Sequence, residues 1–151
     1  MEDRQPENPN RVVYYHEIDG TRRRIRETSN GTSALYREDT VGRFTAAVDC
    51  PTPQTLLIAM EMFVSGGVAK SSVVAGLGVA RVHPHDNFDR RIGRALAYGQ
   101  IRYETMVVKS VSVFDSGRMY VDVESPGGFA VQFYYIRGKE SVGLVRVSAR
   151  P

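Results

Sequence analysis

Residues 105–149 decide the fold, because they read TMVVKSVSVF (105–114), RMYVDVE (118–124), FAVQFYYIR (129–137) and SVGLVRVSA (141–149) with turn residues between the segments. Each segment is rich in the β-branched and aromatic residues that strands prefer. The separating residues include Asp115-Ser116-Gly117 and Ser125-Pro126-Gly127-Gly128, which favour tight turns. Short turns join antiparallel neighbours, so this stretch predicts a C-terminal β-meander.

The N-terminal half shows a similar pattern of short strands. The stretch RVVYYHEIDGTRRRIRE (11–27) predicts strands near Val12–Ile18 and Thr21–Glu27, joined by a hairpin turn at Asp19-Gly20. Two further strands are predicted in TSALYRE (32–38) and GRFTAAVDC (42–50). We therefore expect an N-terminal meander as well.

Two helices interrupt these strands. PTPQTLLIAMEMFVSGG (51–67) places Thr52 as an N-cap and Pro53 at the first helical position, and it is apolar nearly all round. The following strand, SSVVAGLGVARVH (71–83), contains Gly76 and Gly78, which indicate that some other group approaches its backbone closely. The element order predicts an α+β fold with a largely antiparallel sheet and two main helices.

The composition fits one domain, with 42% hydrophobic and 25% charged residues in 151 positions. We expect residues 1–10 to form a flexible arm and residues 11–151 to form the domain. Neither a bilayer span nor an export signal is recognisable, so we expect a soluble, cytoplasmic protein. The single cysteine, Cys50, excludes an internal disulfide.

The second helix lies in VHPHDNFDRRIGRALAYG (82–99), with Asp86 as the expected N-cap and Asp89 three residues later. At about 100° per residue, the apolar face that should pack on the core collects Phe88, Ile92, Ala95, Leu96 and Gly99. The opposite side collects Arg90, Arg91, Arg94 and Tyr98.

These arginines oppose the local electrostatics of a helix start. Arg90 and Arg94 are neighbours four residues apart that repel each other, and a cation in the first turn opposes the helix dipole. Either Asp86 and Asp89 pair with the arginines on a solvated face, or the arginines converge on a bound anion near the helix N-terminus.

The stretch VARVHPHDNFDRRIGRALAYG (79–99) resembles a segment of small bacteriophage proteins, and within them it is similar to the anti-Thoeris sponge proteins. That resemblance implies sequestration of a cyclic ADP-ribose-type or cyclic oligonucleotide immune signal. It also implies that Phe88 packs on the base or docks the helix, and that Arg90 and Arg94 bind ligand phosphates.

A second basic strip lies in TRRRIR (21–26), where alternation places Arg22, Arg24 and Arg26 on one strand face. This strip either contacts phosphates, with tyrosines 14, 15 and 36 and His16 available for base stacking, or protects an edge strand from pairing. His83 and His85 flank Pro84 without further ligands at metal spacing, so we expect no metal there. Catalytic and cofactor motifs are not recognisable, and we expect neither an enzyme nor a cofactor.

The sequence therefore favours a non-enzymatic, phage-type protein that binds and sequesters a phosphorylated small ligand in a pocket shared between subunits. One alternative is a nucleic-acid-binding regulator that combines the basic strand with the arginine helix. Another is a structural or assembly protein of a phage, built into an oligomer through the apolar helix and the C-terminal strands. We expect a homo-oligomer in which the apolar helix, residues 51–67, forms a contact between subunits.

Overall fold

The computed structural model describes residues 6, 11–18, 21–29, 33–66, 71–82, 87, 89–114 and 116–149, and for 21–29 and 33–41 it describes the backbone alone. The strands within these ranges are β1 (Val12–Glu17), β2 (Thr21–Ser29), β3 (Ser33–Val41), β4 (Phe44–Asp49), β5 (Ser72–Arg81), β6 (Arg102–Val113), β7 (Arg118–Glu124), β8 (Phe129–Ile136) and β9 (Ser141–Ala149). The helices are α1 (Pro53–Ser65) and α2 (Arg90–Gly99). Neither helix is long and apolar enough to cross a membrane.

Seven strands form one antiparallel sheet in the order β1-β4-β5-β6-β7-β8-β9. Its two edge strands, β1 and β9, lie close together, so the sheet curves nearly into a barrel. The α+β class and the C-terminal meander are confirmed. β2 and β3 form a separate two-stranded hairpin, inserted in the chain between β1 and β4.

The expected pairing of the first two strands is wrong. β1 pairs with β4, with Val12 opposite Asp49, whereas β2 pairs with β3, with Ser29 opposite Ser33. Every residue of β4 is buried, so the strand beside it must offer apolar side chains. β1 meets that need through its valines and tyrosines, and the arginine-rich β2 does not.

The main core fills the concave face of the sheet and is closed by α1. Phe44, Val121 and Phe133 are buried there, together with Leu56 and Met60 of the helix. The helix boundaries agree with the sequence. The Thr52 hydroxyl accepts a hydrogen bond from the Thr55 amide, and Gly66 ends the helix in the left-handed region with φ 66°.

The outer side of α1 exposes Ile58, Met62 and Val64, and the oligomer remains a prediction based on this face. We expect sedimentation velocity at micromolar concentration to give a mass above that of one chain. Replacing Ile58 and Val64 by glutamate should yield monomers, because burying two unpaired carboxylates in a contact is unfavourable. Gln54→Glu, a charge added to the same exposed helix, is the control. A wild-type monomer would contradict the prediction.

Candidate functional site

α2 rests on the face of the sheet opposite the main core, against β4 and β5. The contact is made by small residues. A Cβ atom added at Gly78 would lie 2.1 Å from the carbonyl oxygen of Ala97, and one added at Gly93 would lie 2.5 Å from Thr45 Oγ1. The helix backbone therefore lies directly on the sheet, and the close approach predicted at Gly78 is confirmed.

This seating corrects the predicted orientation of α2. The helix buries Gly93 and Ala97, whereas Ile92 and Leu96 are 57% and 53% exposed. The apolar stripe thus lies on a flank of the helix and does not face the sheet. Small residues face the sheet because they let the helix backbone pack closer to β4 and β5 than branched side chains would permit.

The start of α2 also differs from the prediction. The N-cap is Asp89, whose carboxylate accepts hydrogen bonds from the amides of Arg91 and Ile92 at 2.9 and 3.2 Å. Asp86 is therefore not the cap of this helix, which begins three residues later than expected. The first amides of a helix have no carbonyl partner within the helix. The Asp89 carboxylate supplies an acceptor for two of them, which is how a capping residue stabilises a helix.

The orientation of α2 brings Arg90, Arg94 and Tyr98 to the flank beside β1. Burial lowers the pKa of His16, and the positive charges of Arg90 and Arg94 lower it further. Burial and the neighbouring Tyr98 raise the pKa of Tyr14, while Arg94 opposes that rise. These five residues, Tyr14, His16, Arg90, Arg94 and Tyr98, are called the α2–β1 cluster below.

The imidazole of His16 is anchored from beneath. Its Nδ1 atom lies 2.8 Å from the hydroxyl of Thr45, which is fully buried under α2 and opposite His16 in the β1–β4 register. The guanidinium groups of Arg90 and Arg94 are exposed, and in the described part of the chain neither forms an ion pair. Of the alternative in which Asp86 and Asp89 pair with these arginines, the part that concerns Asp89 is not formed, and Asp86 lies outside the described residues.

The cluster combines two cations, two phenol rings and one imidazole. Such a set can bind an anion through the guanidinium groups and a flat ring through the aromatic side chains. Sequence reasoning grouped Tyr14 and His16 with the basic strand and did not connect them with α2. The available signal was their even spacing on β1, which puts both on one strand face.

The other predicted ligand residues are not part of this cluster. Arg91 makes no described contact with β1. Arg22, Arg24 and Arg26 lie in β2, where the register sets Arg24 opposite Glu38, and their side chains lie outside the described atoms. Phe88, and the histidines at 83 and 85, lie outside the described residues.

A depression of about 260 Å³ lies on the opposite flank of α2, lined by Ala80, Arg81, Val82, Asn87, Asp89, Ile92, Gly93 and Leu96. Its cation, Arg81, lies over the ring of Phe129 at 5.5 Å. This flank offers mainly apolar surface, so the pair of arginines toward β1 is the better site for an anion.

Two common catalytic arrangements find no support among the described residues. Burial raises the pKa of the Cys50 thiol to about 12, which leaves it protonated and poorly nucleophilic. Groups of three or more His, Cys, Asp and Glu side chains that could hold a metal ion do not occur in the described ranges. No family model, curated protein or solved structure matches this chain.

The titration of His16 tests the geometry of the cluster. Replacing Arg90 and Arg94 by glutamine should raise the pKa of His16 toward its ordinary value, because two nearby positive charges are removed. NMR titration of the histidine ring protons measures this, with Arg91→Gln as the control. An unchanged His16 pKa would show that the arginines do not face β1.

The lowered pKa of His16 also determines how the stability of the protein changes with pH. Because the folded state lowers the pKa of His16, protons bind the unfolded chain more readily. The contribution of His16 to the free energy of unfolding is therefore complete at a pH above its ordinary, unfolded-state pKa. It is lost as the pH falls from that pKa to the lower pKa of the folded protein.

Proposed function

We propose that the protein binds a phosphorylated small ligand that carries an aromatic ring, a nucleotide in the widest sense, in the α2–β1 cluster. The observation that carries this proposal is the pair of exposed arginines, Arg90 and Arg94, whose charges both act on His16 and which have no carboxylate partner among the described residues. Two like charges repel at this spacing, and a bound phosphate turns that repulsion into attraction.

Each group in the cluster has a defined part in this proposal. Arg90 and Arg94 donate charge-assisted hydrogen bonds to phosphate oxygens. Tyr14 and Tyr98 pack against the ring of the ligand. His16, held by Thr45 at 2.8 Å, adds a polar edge beside the phosphate. The ligand is held without a bond being broken, so the role is binding and sequestration.

The resemblance of residues 79–99 to phage sponge proteins supports a cyclic nucleotide or a cyclic ADP-ribose-type immune signal as this ligand. A phage protein that keeps such a signal bound would blunt the host response in the bacterial cytoplasm. This is the biological role we propose, with a homo-oligomer as the expected binding form.

A thermal-shift screen tests the proposal with cyclic dinucleotides, cyclic ADP-ribose isomers, adenosine monophosphate and short oligonucleotides. A specific ligand at one hundred times its Kd should stabilise the protein by about 2.7 kcal/mol. Binding of a small ligand with one or two phosphates should depend only weakly on salt, whereas the nucleic-acid alternative predicts a steep loss as each phosphate contact releases counterions. The absence of any shift across the nucleotides would refute the proposal.

A further inference from the structure

A row of aromatic side chains lies on the outer face of β6, β7 and β8, away from α2 and independent of the α2–β1 cluster. Tyr120 of β7 and Tyr134 of β8 are directly opposite each other in the register. Phe114, which follows β6, is 52% exposed and meets the Tyr120 ring edge-on with centroids 5.2 Å apart. Large rings on the water side of a sheet are not explained by the core.

A cation is fixed among these rings. The guanidinium of Arg118 lies 5.4 Å from the centroid of the Tyr134 ring, and its Nη1 atom donates a hydrogen bond to the Tyr120 hydroxyl at 3.4 Å. Arg118 forms no ion pair in the described part of the chain. Its charge therefore remains available to an anion in solution.

Tyr134 is held in place by the next strand. A Cβ atom added at Gly143 of β9 would lie 2.1 Å from Cζ of the Tyr134 ring, so the glycine leaves the space that this ring occupies. The ring thus rests against the backbone of β9 and is fixed before any ligand arrives. Fixed rings lose little conformational freedom on binding, which favours affinity.

Two depressions lie on either side of the Phe114–Tyr120 pair. One, of about 460 Å³, is lined by Phe114, Ser116, Arg118, Tyr120, Ile136 and Lys139. The other, of about 340 Å³, is lined by Ser112, Phe114, Tyr120 and Gln132. Both exceed the roughly 150 Å³ cavity that encloses a benzene ring, so each has room for a flat base.

We propose that this outer aromatic face binds single-stranded nucleic acid, with two successive bases stacked beside Phe114 and Tyr120. Arg118 and Lys139 would contact the backbone phosphates, and Gln132 and Ser112 offer hydrogen-bonding groups to a base edge. Exposed rings combined with unpaired cations are the features that stacking platforms use, and every base has a face to stack. Asp122, a carboxylate on the same strand as Tyr120, accepts a hydrogen bond from the hydroxyl of Ser110.

Fluorescence anisotropy of a labelled oligothymidine of about ten nucleotides, within the usual site size, tests this face. Because stacking contributes about 1–3 kcal/mol per base, Phe114→Ala and Tyr120→Ala should each weaken binding about 5- to 150-fold. Tyr120→Phe keeps the ring and removes only the hydroxyl that accepts from Arg118, so it should weaken binding much less than Tyr120→Ala. The chain contains no tryptophan and eight tyrosines, so the part of the fluorescence quenching that is lost in Tyr120→Phe reports stacking on Tyr120.

Arg91→Gln and Val74→Ala, which change an exposed charge and an exposed apolar residue elsewhere, are the matched controls. Circular dichroism melting curves confirm that each variant is folded. The proposal is overturned if the wild-type protein does not bind the oligonucleotide, or if duplex DNA of the same length binds as tightly. It is also overturned if Phe114→Ala and Tyr120→Ala bind normally while loss of Arg90 and Arg94 abolishes binding, which would place the oligonucleotide in the α2–β1 cluster.

Discussion

Replacing Arg90 and Arg94 together by alanine is expected to remove most of the affinity for a nucleotide while leaving the protein folded. Charge-assisted hydrogen bonds to phosphate contribute about 1.5–3 kcal/mol each, so the double change should weaken binding by two orders of magnitude or more. The free protein should be equally stable or slightly more stable. The change removes two charges that repel each other, and one of them, Arg90, lies in a first helical turn that disfavours cations; the described residues offer neither an ion pair.

Isothermal titration calorimetry with the nucleotide found in the thermal-shift screen measures the first effect, and denaturant unfolding measures the second. Arg91→Ala is the matched control, because it removes a charge from the same helix turn without touching the α2–β1 cluster. Leu56→Ala is the reference for a purely structural change, since truncating this fully buried side chain should lower the free energy of unfolding by about 2–5 kcal/mol. If the double variant unfolds as readily as Leu56→Ala and still binds the nucleotide normally, the arginines are structural and the proposed function is refuted.

The sequence predicted the strands better than it predicted their partners. The C-terminal strands follow one another through short turns, so chain order and sheet order coincide there. In the N-terminal half, both Asp19-Gly20 and Asn30-Gly31 favour a hairpin, and local turn chemistry cannot choose between them. The choice depends on the surroundings of β4, which is buried on both faces and excludes an arginine-rich neighbour.

The candidate site was predicted only in part for a related reason. A count of large apolar side chains places Ile92 and Leu96 against the sheet, yet Gly93 and Ala97 occupy that position. The hydrophobic periodicity of α2 does not show where small residues pack closely. The sequence feature that indicated this contact was Gly78 on β5, the strand against which α2 packs. Arg90 and Arg94 were identified correctly as an exposed pair, but their neighbour His16 depends on the β1–β4 register.

Gly78→Ala is expected to destabilise the protein strongly and to disturb the α2–β1 cluster at the same time. The new Cβ atom would lie 2.1 Å from the Ala97 carbonyl oxygen and 2.7 Å from the Ile101 amide nitrogen. Both are backbone atoms, so a side-chain rotation cannot relieve the overlap and α2 must move away from the sheet. Inserting even one methyl group into tight packing costs typically about 1–3 kcal/mol, and backbone overlap places this site at or above that range.

Gly99→Ala provides the comparison, because it adds the same methyl group at the last residue of α2, where no atom lies within 4 Å. That change should be neutral or should stabilise the protein by up to about 1 kcal/mol, since alanine favours helix. Chemical denaturation measures both stabilities, and the His16 titration reports whether α2 has moved. A Gly78→Ala protein as stable as Gly99→Ala, with an unchanged His16 pKa, would contradict the seating of α2. The position of Arg90 and Arg94 beside β1 depends on that seating, so the site would have to be abandoned with it.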